Sequence, residues 1–126
     1  MVRLLLLLLL TTTSFEASAN PNEGCMDANF SKIYTVEHTK SASKITIKVK
    51  TARPEEVFVK DKLFGNYLEL ELLNSYIARE RIFIGRYLEL RDMGGWTHLT
   101  VKGGRKLLSK RVEGNYLILI VSLSTR

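Results

Sequence analysis

Residues 65 to 70 read GNYLEL, residues 85 to 90 GRYLEL and residues 114 to 119 GNYLIL. Each copy opens on glycine and a polar residue (Asn66, Arg86, Asn115), which is turn chemistry, and then alternates in the manner of a strand. A side-chain period of two puts Leu68 and Leu70 on one side and Tyr67, Glu69 and Glu71 on the other. In the second copy Leu88 and Leu90 oppose Tyr87, Glu89 and Arg91. The third copy is apolar on both sides: Tyr116, Ile118 and Ile120 face one way and Leu117, Leu119 and Val121 the other, which predicts a central, doubly covered strand. The copies start 20 and 29 residues apart with dissimilar sequence between them, so they mark a recurrent way of starting a strand and not a solenoid repeat.

The same alternation extends in both directions. In Ile45-Thr46-Ile47-Lys48-Val49-Lys50 the odd positions are apolar and the even ones polar, the pattern of a strand with one wet face. Ala52-Arg53-Pro54-Glu55 interrupts it, because proline has no amide hydrogen for a ladder, and residues 57 to 60 resume. Residues 77 to 84 read as a further strand. The interval from 63 to 91 also holds good helix formers, with Tyr76, Ile77, Glu80, Arg81 and Ile84 at helical spacing. Gly85 and the even spacing of Ile82, Ile84, Leu88 and Leu90 favour strand. Residues 92 to 95 form a turn, and residues 96 to 102 a strand with Leu99 and Val101 on one side and Trp96 and His98 on the other.

Lys102-Gly103-Gly104-Arg105 reads as a tight hairpin, since adjacent glycines accept the positive φ angles of a primed turn. Its second arm spans residues 106 to 112, and Glu113-Gly114-Asn115 leads into the last strand. About eight short strands spaced roughly 8 to 12 residues apart predict an all-β fold, an antiparallel, jelly-roll-like β-sandwich over residues 44 to 126, with a small barrel as the alternative. Residues 20 to 43 have few spaced apolar positions and are expected to form an extended N-terminal arm, with at most one short strand around residues 33 to 36.

The first 19 residues carry Arg3, a leucine run from Leu4 to Leu10 and Ala17-Ser18-Ala19, the layout of a cleaved signal peptide. The run is far shorter than the about 20 residues that a spanning helix needs. The expected destination is secreted or extracellular. Cys25 is the sole cysteine, so an intrachain bridge is excluded and the sequence leaves two states for it, an interchain disulfide that would make a homodimer, or a free thiol. Asn29-Phe30-Ser31 is an N-glycosylation sequon, usable on that route and implying a glycoprotein.

Chemistry beyond binding has little support in the residues. The two histidines, His38 and His98, lie near no recognisable nucleophile motif, and His98 reads as a half-buried strand residue beside Trp96. No metal-ligand spacing occurs, and no cofactor is expected. Glu69, Glu71 and Glu89 read as cross-strand partners for Arg79, Arg81 and Arg91. The chain carries a formal net charge of +6. Lys102, Arg105, Lys106, Lys110 and Arg111 put five cations in ten residues with no acid among them. Simple alternation places Lys106 and Lys110 on one face and Arg111 on the other. Lys44, Lys48 and Lys50 line the wet face of the first strand, and Tyr67, Tyr87, Tyr116 and Trp96 could form a platform if they share a face. The predicted function is a non-enzymatic module that recognises an acidic extracellular ligand, a glycan, glycosaminoglycan or protein, through the basic hairpin and Trp96. Nucleic acid fits less well, given the export signal and the lack of a base-stacking motif. Lysines on edge strands also serve simply to prevent aggregation. The other readings are a structural subunit that pairs through Cys25 or an edge strand, and a carrier of a small apolar ligand.

Residues 45 to 112 resemble the first part of a laminin G-like, concanavalin-type sandwich. The segments that carry the resemblance are KVKTARPEEVFVKD, residues 65 to 83 and GGWTHLTVKGGRKLLSKRV, together roughly 70 of the 126 residues. The calcium-site aspartates of that family have no counterpart here. The resemblance implies a secreted, non-enzymatic module that binds glycans, glycosaminoglycans or extracellular proteins on its loops or a basic face.

Overall fold

The computed structural model describes residues 30–124. Ten strands fold into two five-stranded sheets that face one another, an all-β sandwich and not a barrel: β1 (Ser31–Lys40), β2 (Lys44–Thr51), β3 (Phe58–Phe64), β4 (Tyr67–Leu73), β5 (Ser75–Ile77), β6 (Arg81–Ile84), β7 (Leu88–Asp92), β8 (Trp96–Lys102), β9 (Gly104–Glu113) and β10 (Tyr116–Leu123). The first sheet runs β5-β1-β2-β10-β9 and the second β3-β4-β8-β7-β6. All neighbours are antiparallel except β1 and β5. Strands also fill the interval in which helical spacing competes, and no described helix is long and apolar enough to cross a membrane.

The alternating leucines and valines build the core. Ile45, Ile47, Val49, Leu117, Leu119 and Val121 of the first sheet pack against Leu68, Leu70, Leu72, Leu90, Leu99 and Val101 of the second, and all are buried. Each contributes about 1.5–3 kcal/mol relative to exposure. The three repeated phrases are hairpin turns. Gly65-Asn66 and Gly114-Asn115 are two-residue loops between directly paired strands, with positive φ at glycine (34° and 60°). In the second copy the loop has three residues, Gly85 to Tyr87, and β7 begins at Leu88. The longer loop turns Tyr87 against the core instead of outward, with the Lys40 ammonium 5.1 Å from its ring centroid. β10 lies between β2 and β9 as its two apolar faces predict, but its outer face meets side chains and not another layer: Lys48 lies 5.0 Å from the Tyr116 ring centroid.

Three expectations are corrected. Residues 31 to 40 are a full strand of the first sheet and not an extended arm, hydrogen-bonded to β2 along most of its length. An irregularity at Tyr34 shifts the phase, and the inward positions after Val36 are His38 and Lys40, so the apolar period is hidden. The strand count is ten and not about eight, because β1 adds one and residues 75 to 84 break into β5 and β6, in different sheets. Asn74, at φ 70°, turns the chain out of β4 towards the first sheet. At that end Ser31, Thr51, Ser75 and Thr97 are buried hydroxyls that bond one another or backbone carbonyls, among them Ser75 to Thr97 at 2.9 Å and Thr51 to the Lys32 carbonyl at 2.8 Å.

The third correction concerns Lys102 to Arg105. β8 and β9 are not a hairpin: β8 ends in the second sheet and β9 starts in the first, with Gly103 alone between them. A Cβ on Gly104 would lie 3.0 Å from Leu68 Cβ and 3.1 Å from Val101 Cβ, so only glycine lets the backbone pass this close to the facing sheet. Gly104→Ala is expected to cost about 1–3 kcal/mol from overpacking. Gly103→Ala, which meets nothing within 4 Å but sits at φ +74°, should cost roughly 1 kcal/mol. Urea midpoints of the two variants check this, and a Gly104→Ala midpoint above that of Gly103→Ala would contradict the close approach.

Candidate functional site

The five cations that cluster in sequence separate in space. Lys102 ends β8 on the outer face of the second sheet, in register with Tyr67. Arg105 sits where the β9 ladder shifts register, and its guanidinium donates to the Gly65 carbonyl at 2.9 Å, joining β9 to the β3–β4 turn. Lys110 pairs in register with the inward-facing Leu119 and donates from Nζ to the Val57 carbonyl at 2.9 Å, 5.8 Å from the Phe58 ring centroid. Both side chains thus close the open side of the sandwich.

A β-bulge produces this sorting. Ile120 pairs with Ser109 and Val121 with Leu107, so Leu108 is the extra residue and the strand changes phase across it. Lys106 and Lys110 therefore lie on opposite faces, and Lys106 shares the outer face with Arg111, the reverse of simple alternation. Leu107 packs on the core while Leu108 is exposed, the consequence of the same shift.

On that outer face the two cationic sets meet. Lys48 pairs with Ile118 and Ile118 with Arg111; Lys44 pairs with Ser122 and Ser122 with Lys106; Lys50 pairs with Tyr116. Two basic rows, one on β2 and one on β9, flank a stripe of Tyr116, Ile118 and Ile120. With β10 between them, the rows stand about 10 Å apart. Glu37 and Glu113 are the acids on this face, and Glu113 meets Arg111 at 2.6 Å in a pair that is more than half exposed on both sides. Such a pair is worth about 0–1 kcal/mol and leaves Arg111 able to exchange partners.

Trp96 occupies the opposite outer face, that of the second sheet, half-buried with its ring 5.6 Å from that of His98. Tyr67 shares this face, Tyr116 belongs to the other and Tyr87 turns inward, so the tyrosines make no common platform. Beside Trp96 is a shallow hollow lined by Tyr67, Glu69, Glu89, Arg91, His98 and Thr100. Glu89 lies 3.1 Å from Arg81 of β6, a cross-strand partner as expected, and 3.7 Å from Arg91, two residues on along β7 itself, but Glu69 meets His98 Nε2 instead of an arginine. This cluster was not legible as a site, because its members come from three strands whose order the sequence does not give. Among the described residues no three His, Cys, Asp or Glu side chains converge to hold a metal ion. Cys25, Asn29 and the expected signal peptide at residues 1 to 19 lie outside the described residues.

No family model, no curated protein and no solved structure matches this chain. The resemblance to laminin G-like domains rests on the sequence pattern alone.

The sorting of the cations has a direct consequence. Lys110→Ala removes a hydrogen bond between the sheets and should cost about 1 kcal/mol, whereas Lys106→Ala should stay within roughly 0.5 kcal/mol of the parent. Thermal unfolding of the two single variants measures the difference; equal midpoints would mean that Lys110 does not clasp the sheets.

Proposed function

We propose that the protein is a secreted, non-enzymatic binding module that holds an extended acidic polysaccharide against the outer face of its first sheet. The observation that carries this reading is the convergence of Lys44, Lys48 and Lys50 with Lys106 and Arg111, two groups far apart in sequence, on one sheet face. A linear polyanion lying along β10 would reach a cationic row on either side, while Tyr116 and Ile120 offer an apolar floor to sugar rings. The long lysine and arginine stems cover Ile118 and keep their charged ends in water, where they attract anions at a distance. A sulphated glycosaminoglycan suits the predicted export route and the exposed cationic sheet face better than a nucleic acid does.

Salt elution from a heparin column tests it. The parent should elute well above physiological ionic strength, and Lys48→Ala/Lys50→Ala/Arg111→Ala should elute at much lower salt, since each lost contact removes a share of the counterion release. Lys102→Ala should elute like the parent. Equal elution of the triple variant and the parent would remove the proposal.

A second reading has its own observation. Phe58 and Leu63 on β3, and Leu108 and Val112 on β9, are exposed large apolar side chains along the two sheet edges on one side of the sandwich. They favour pairing of that side with another chain. Sedimentation velocity should then show self-association that Leu108→Lys weakens; a monomer at all concentrations would count against pairing between copies.

A further inference from the structure

The second sheet's outer face carries arrangements that a merely solvated face does not require. In register across it run Lys62–Glu69–Thr100–Glu89 and Lys60–Glu71–His98–Arg91. At the centre the Glu69 and His98 side chains keep only 15% and 16% of their exposure, although both could point into open water. Ionisable groups on a wet sheet face are normally well hydrated, and partial burial costs solvation unless the groups are paired. The charged and aromatic walls of the hollow are paired or braced. Glu69 is held by His98, Glu89 by Arg81 and Arg91, and the Tyr67 ring by Phe64, with centroids 5.4 Å apart and planes 17° from parallel.

The hollow therefore presents fixed acceptors (Glu69, Glu89) beside fixed donors (Arg91) and groups that both donate and accept (Thr100, Tyr67, His98), against one aromatic ring. Its formal charges nearly cancel, Glu69 and Glu89 against Arg91 and the Arg81 guanidinium that meets Glu89 at 3.1 Å. An inorganic anion would meet two carboxylates and a cation would meet Arg91, so neither is favoured. A neutral polyol is, because each hydroxyl can donate to a carboxylate and accept from a guanidinium or hydroxyl at the same time. A pyranose adds a flat C–H face that packs on an aromatic ring. We propose that this hollow on β4, β8 and β7 is a binding site for a neutral hexose unit. It is separate from the polyanion face and does not rest on it.

Trp96 is the only tryptophan of the chain and abuts His98, so its emission reports on the hollow without a label. The protein is titrated with methyl glycosides of glucose, galactose, mannose and N-acetylglucosamine, and with sodium sulphate and glucuronate as charged controls. Amide shifts in 15N spectra, recorded in parallel, cover a sugar that leaves Trp96 emission unchanged. The expected result is saturable binding of at least one neutral glycoside, with a dissociation constant of about 1 mM for so small a ligand, and no loss in high salt. The isosteric Glu89→Gln should weaken it about tenfold or more without moving the unfolding midpoint much, and Lys48→Ala/Lys50→Ala/Arg111→Ala should leave it unchanged. No saturable response to any neutral glycoside in either measurement would overturn the proposal. So would binding of sulphate or glucuronate in preference to the neutral sugars, or a Glu89→Gln variant that binds like the parent.

Discussion

The single residue between β8 and β9 is the constraint on which the surface of this protein depends. Gly103 is all the chain has with which to leave one sheet and join the other, and the close approach of Gly104 to Leu68 and Val101 is the steric condition for that step. Had the two glycines closed a hairpin, β9 would have displaced β4 or β7 from its place beside β8, and its cations would have stood in the sheet that carries the carboxylates. Crossing to the other layer instead places β9 beside β10, where its outer face continues the lysine face of β2. One turn conformation thus decides whether the basic residues neutralise acids or accumulate.

The long cationic side chains on β9 divide into two kinds of work through the bulge at Leu108. An edge strand with unpaired backbone groups invites pairing with other chains, and an inward-pointing lysine is one recognised protection. Lys110 fills that role while donating to the Val57 carbonyl, and Arg105 similarly reaches Gly65 across the layers. Both use stem length to bridge two sheets whose main chains lie about 10 Å apart. Lys106 and Arg111, in the other phase, have no such obligation to the fold. Cations close in sequence therefore differ in whether their charge is committed.

What could be read in the sequence follows from what is local. Hairpin turns at Gly65-Asn66 and Gly114-Asn115 and the inward leucines of β4, β7 and β8 need only neighbouring residues, and period-two alternation shows them plainly. β1 escaped because its inward positions after Val36 are His38, beside Gly85, and Lys40, over the Tyr87 ring; the partners that make polar residues acceptable there come from the β6–β7 turn. The bulge in β9 left one trace, the doublet Leu107-Leu108, in which one leucine is buried and the next exposed. A doublet can as easily mark a strand end, so it does not fix the phase by itself. The hollow around His98 needs the order β4-β8-β7, a choice among pairings separated by dozens of residues, and no local pattern carries it.

The two wet faces are physically independent. Between them lies a continuous apolar core from Ile45, Ile47 and Leu119 to Leu70, Leu90 and Leu99, and among the described residues no charged one is buried in it. Substitutions on opposite faces share no partner and stand farther apart than the 7–10 Å beyond which energetic effects add. The faces also differ in kind: one has excess positive charge on flexible stems, which acts at long range and is screened by salt, and the other has nearly cancelled charge fixed by mutual pairing, which acts only on contact. A ligand with both an acidic stretch and neutral sugar units could meet the two in succession but not at once from a single short chain, because the sandwich stands between them. Affinity gained on one side therefore reflects that side's chemistry alone.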